Sequence, residues 1–174
     1  MTNLKRISPD AIPAALSRAE RYRLLNQARQ AESIARDILA VEPKHPEATL
    51  LLLLALTDCF TDESADAAHA DAVAMVPTLP GEYARAYYGG LVIERWALAL
   101  QSRAVPIYLV ADWIQQAMTR FEEAEALRQP GNDEALLRWN ACARLLSRLK
   151  RIERSLAGDG GQLTVLDLGD EAPR

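Results

Sequence analysis

The chain has 174 residues, 49% hydrophobic and 25% charged, with a formal net charge of −4. That length suits one domain able to bury about two-thirds of its unfolded surface without metals or disulfides, and the eight glycines fall mostly outside segments rich in Ala, Leu, Arg and Glu, as in a helical protein. The negative balance argues against nucleic acid as the main partner, because phosphate binding needs clustered cations.

The N-terminus carries Lys5 and Arg6 but no following apolar segment of signal-peptide type, so a cytoplasmic protein is expected. Ser8-Pro9-Asp10 reads as an N-cap with Pro at the first helical position, opening a helix to about Leu25. A break at Asn26-Gln27 leads to a second helix over residues 28–41, closed by Pro43 and Pro46. The third, residues 47–60, contains five consecutive leucines, Leu50 to Leu54. Its uncharged stretch is far short of the ~20 residues that cross a membrane, so it is expected to be a buried helix.

Thr61-Asp62-Glu63-Ser64 offers caps for a fourth helix, ended by Pro77 and Pro80. A longer fifth helix covers residues 82–101, a sixth begins after Val105-Pro106 and ends near Gln129-Pro130-Gly131, and Asn132-Asp133-Glu134 caps a seventh reaching about Leu156. Residues 1–157 form the helical domain in this reading. Residues 158–174 form a flexible acidic tail with a short β-capable stretch, and their apolar cluster suits a docking peptide.

The pairs repeat. Pro43 and Pro77 are 34 residues apart, and Ala31 and Ala65 each precede their proline by 12. The first unit carries Tyr22, Ala28, Ala31, Ala35 and Ile38. The second carries Leu52, Leu53, Leu56, Ala65 and Ala72, with His69 where a larger apolar residue is usual. A looser match runs through Ala117, Phe121, Ala124 and Leu127 to Trp139, Cys142, Ala143 and Leu146. At these positions the chain resembles the tetratricopeptide repeat family. The resemblance implies an all-α fold of antiparallel helix pairs, stacked as a short right-handed solenoid of about seven helices. The long fifth helix departs from the family length.

The resemblance also implies a role. It places Leu52, Leu53 and Leu56 in the packing and Leu50 and Leu54, one turn apart, on the concave side. An apolar concave face would receive a partner peptide or helix, or be covered by another element of the same chain; both readings stand. Tyr88 and Leu91 are expected to extend a groove beyond Leu54, and Glu20 and Arg23 belong to the same candidate partner-binding set. Members that grip chaperone C-terminal carboxylates use Lys, Arg and Asn where Leu50 and Leu54 stand, so that specificity is not expected.

Other clusters point less clearly to chemistry. Gly89-Gly90 in mid-helix costs about 2 kcal/mol relative to two alanines, which implies close helix contact or a ligand beside Tyr83, Tyr87 and Tyr88. Cys59 and Cys142 read as buried free thiols, and Asp62, Glu63, Asp66 and Asp71 as a solvated face, like Glu122, Glu123 and Glu125. The arginines of the seventh helix read as screened by the acidic tail. No phosphate loop, nucleophile elbow or zinc-ligand pair occurs. The expectation is a non-enzymatic adaptor that needs no cofactor or metal, has no membrane association and binds a protein or peptide. A structural subunit that self-associates as a homo-oligomer, and an enzyme or ligand carrier with a pocket near Tyr83 and Trp96, are the alternatives.

Overall fold

The computed structural model describes residues 3–158, and the tail reading lies outside them. Seven α-helices follow one another: α1 (Ile12–Leu24), α2 (Ala28–Val41), α3 (Pro46–Asp58), α4 (Ala65–Met75), α5 (Glu82–Ser102), α6 (Ile107–Ala126) and α7 (Glu134–Gly158). Short 3-10 turns, Pro9–Ala11 and Val76–Thr78, precede α1 and follow α4. There is no strand among the described residues, and each helix packs against its neighbours in sequence.

The caps differ in detail from expectation. Ser8 precedes a 3-10 turn and its hydroxyl caps nothing. Ser64 sits at the N-cap of α4, also without a side-chain cap, and its hydroxyl meets Arg29 instead. His45, in the Pro-flanked turn, is the unforeseen cap: its Nδ1 accepts from the Ala48 amide at 3.3 Å at the start of α3. The chain reverses at Asn26 and Ala104 through positive φ, both 56°, a conformation more accessible to Asn than to Ala.

Two register facts bear on the repeat. Both ends of α3 lie 34 residues beyond those of α1, and α4 ends 34 residues beyond α2. Helices of like order also meet: α1 packs on α3, and the Arg36 side chain of α2 reaches Asp71 of α4 at 2.8 Å. The alanines carrying the pattern, Ala31, Ala35, Ala65 and Ala72, are fully buried, where a small side chain lets neighbouring helices approach.

The interior is two clusters joined through α5. One spans α1 to α4 and the Val92, Trp96 and Ala99 side of α5; the other holds Ala86, Tyr87 and Ala97 with α6 and α7. Tyr88, Leu100 and Trp113, each partly buried, pack against both. Cys59 and Cys142 are buried free thiols, one in each cluster, and burial pushes their pKa values up to about 11 and about 12.

Candidate functional site

Of the five consecutive leucines, Leu51, Leu52 and Leu53 are buried and Leu50 and Leu54 are half-exposed. The distinction follows from helical periodicity. Residues 50, 54 and 58 recur every four positions and share one face of α3, while Leu51 to Leu53, Ala55 and Leu56 point into the first cluster.

Asp58 marks where that face meets α1 and α5. Its carboxylate accepts from Arg23 Nε at 2.7 Å and is also paired with Arg95 Nη1. Arg95 donates to Thr57 Oγ1 at 2.7 Å, and Thr57 Oγ1 in turn donates to the Leu54 carbonyl at 2.8 Å. Arg23, Asp58 and Arg95 are 22 to 27% exposed, sheltered enough for charge-assisted hydrogen bonds to exceed an ordinary surface pair. Two guanidiniums converge on one carboxylate, leaving a local excess of one positive charge beside two half-exposed leucines.

The candidate residues therefore divide. Leu50, Leu54 and Arg23 belong to this face, and exposed Glu20 lies three residues before Arg23 on α1. Tyr88 is half-buried between the two clusters, seven residues and so about two turns before Arg95 on α5. Leu91 requires correction: it is only 3% exposed and cannot line a groove open to a partner. The reason is that α5, unlike a helix at the edge, is packed on both sides.

The glycines of α5 serve packing. A Cβ at Gly90 would lie 2.8 Å from Phe121 Cε1, and one at Gly89 would lie 3.4 Å from Val76 Cγ1. Tyr83 and Tyr87 stack with centroids 5.8 Å apart, and Tyr87 tilts against Phe121 at 6.0 Å. The space beside Gly90 is thus filled by α6.

Several contacts were invisible in the sequence. His69 stacks on Trp96 at 4.1 Å between ring centroids, with Phe60 and Trp113 edge-on at 5.5 and 6.3 Å. Its Nε2 is buried without a hydrogen-bond partner, and burial lowers its pKa below 6.5, opposed by Asp66. The Arg103 guanidinium lies over the Trp96 ring at 5.1 Å and pairs with Asp66 at 3.2 Å. Glu94 is buried at 6% exposure and pairs with Arg138 of α7 at 3.5 Å; burial raises its pKa, while Arg138 and Arg95 oppose the rise. Trp139 Nε1 donates to Glu122 at 2.8 Å. The acidic run is also more than a wet face, since Asp62, Asp66 and Asp71 each pair with an arginine.

A groove of about 820 Å³ lies on another side of α3, with Leu39, Thr49, Leu52, Leu56 and Met75 among its lining beside the Arg36–Asp71 pair. No cluster of three or more potential metal ligands occurs among the described residues, and no helix there is long and apolar enough to cross a membrane. No family model, curated protein or solved structure matches the chain.

Proposed function

We propose that this protein is a tetratricopeptide-like interaction module that binds a peptide or helix of a protein partner on the face carrying Leu50, Leu54, Glu20 and Arg23. The observation that carries this reading is the split within the leucine run: three leucines are buried, while two stay half-exposed on one face of α3. Half-exposed leucines at four-residue spacing, with charged groups at their end, offer the apolar stripe and polar rim of helix-in-groove recognition. The 34-residue correspondence of α1 with α3, and the pairing of like helices, support a repeat arrangement. In that reading the protein performs no chemistry of its own and works in the cytoplasm as an adaptor.

Self-association through the same leucines is the competing use of this surface. Capture from extracts of the native cell, read by mass spectrometry, tests both. Wild type should retain a partner that Leu50→Glu and Leu54→Glu lose, while each variant keeps wild-type helicity, because a charge replaces a half-exposed side chain. Unfolding of either variant would assign that leucine to the core. A concentration-dependent mass with no other protein retained would favour self-association.

A further inference from the structure

A second apolar groove, of about 540 Å³, lies between the C-terminal half of α7 and the α5–α6 turn. Val110 and Leu149 are buried within it, while Tyr108 and Leu156 stand 58% and 53% exposed. Two large half-exposed apolar side chains flanking a cleft are a surface that favours cover. The chain continues past α7 at this end of the molecule, with Leu156 two residues before the end of the helix.

We infer that residues 163–168 of the same chain occupy this groove, folding back along α7. Two facts select that occupant. The first is reach. Residues 159–162 separate α7 from Leu163 and can extend about 14 Å, whereas the return along the helix from Gly158 to Ile152 in the groove wall is about 9 Å. Gly160 and Gly161 fall in that linker, where a reversal needs conformations that side chains restrict.

The second is apolar complementarity: Leu163, Val165, Leu166 and Leu168 cluster within six positions, facing a groove lined by Val105, Ile107, Leu149 and Ile152. A segment tethered this closely acts at an effective concentration on the order of millimolar, so modest contacts suffice to seat it. The groove is separate from the Leu50 and Leu54 face, and the inference does not depend on the function proposed for that face.

Methyl spectra of the full chain and of a chain ended after Gly158 test it. The Ile107, Leu149 and Ile152 resonances should differ between the two, and a synthetic peptide of residues 159–174 added to the shortened chain should restore the full-chain positions. Leu156→Asp in the full chain should give the shortened chain's resonances with unchanged helicity, since Leu156 is half-exposed, and in the shortened chain should weaken peptide binding about tenfold. Leu166→Asp should act the same way from the segment's side. Identical spectra of the two chains would overturn the inference. So would changes centred on Leu50 and Leu54, which would seat the segment on the other face, or changes that grow with protein concentration, which would seat it on a second copy.

Discussion

An alanine methyl at Gly90 would meet the fully buried ring of Phe121 at 2.8 Å, while one at Gly89 would make an ordinary contact with Val76 at 3.4 Å. Both substitutions gain about 1 kcal/mol of helix propensity, but only Gly90→Ala must displace a core aromatic, an overpacking cost of about 1–3 kcal/mol. Gly89→Ala should therefore raise the melting temperature by about 2–4 °C and Gly90→Ala should not, remaining at or below wild type. Calorimetry of the pair checks it. His69 gives a second expectation. Its pKa in the folded chain is lowered by burial, so the unfolded chain binds more protons as pH falls through about 6.5. Stability from neutral His69 is complete above that pH and lost as pH drops toward the folded value. From about pH 7.5 to about pH 5.5 wild type should lose melting temperature relative to His69→Phe, which keeps an aromatic ring but cannot titrate; parallel curves would remove the role assigned to His69. The sequence showed that Gly89-Gly90 needed a reason, because mid-helix glycine is costly wherever it occurs. It could not show the His69 cluster, whose partners Trp96 and Trp113 come from helices 27 and 44 residues away.

Asp58 ties three helices at once, accepting from Arg23 of α1 and Arg95 of α5. Replacing it with alanine leaves two sheltered guanidiniums without their carboxylate, so Asp58→Ala should cost about 2 kcal/mol, measured by urea unfolding. Asp66→Ala should cost well under 1 kcal/mol, because Asp66 is 86% exposed in its pair with Arg103. Equal losses would mean that the convergence on Asp58 adds nothing beyond a surface pair. Elements are where the sequence was most legible. Proline, the alanine pattern and the Asn-Gln break place all seven helices within a few residues, because these signals act within one or two turns of chain. The ion pairs joining the first helix pair to the second were not legible. Arg29, Arg36 and Arg23 meet Asp62, Asp71 and Asp58 at separations of 33 to 35 residues, close to the repeat spacing, and that spacing of opposite charges was the available clue. Leu91 failed as a surface residue for a related reason: the exposure of a helical position depends on how many neighbours flank the helix, and α5 has them on both sides.

At the scale of the molecule, α5 belongs to both clusters, so the face on α3 is braced from behind by the same helix that carries Arg95 toward it. Leu50 and Leu54 stay half-exposed because that bracing comes from Trp96, Val92 and Ala99 on the interior side of the first cluster. The resulting surface combines an apolar stripe with the charges of Arg23 and Asp58, whereas the groove of about 820 Å³ is lined through Leu39, Leu52 and Met75. The two surfaces use different sides of α3, and a bound partner distinguishes them. The most direct measurement is hydrogen exchange of the full chain with and without its captured partner. Binding on the Leu50 and Leu54 face should slow exchange in α3 over residues 50–58, extending to α1 near Glu20 and Arg23, with little change in α2 and α4. Protection confined to α2, α4 and the turn after Met75, with residues 50–58 unchanged, would contradict binding on this face and move the site to the groove of about 820 Å³.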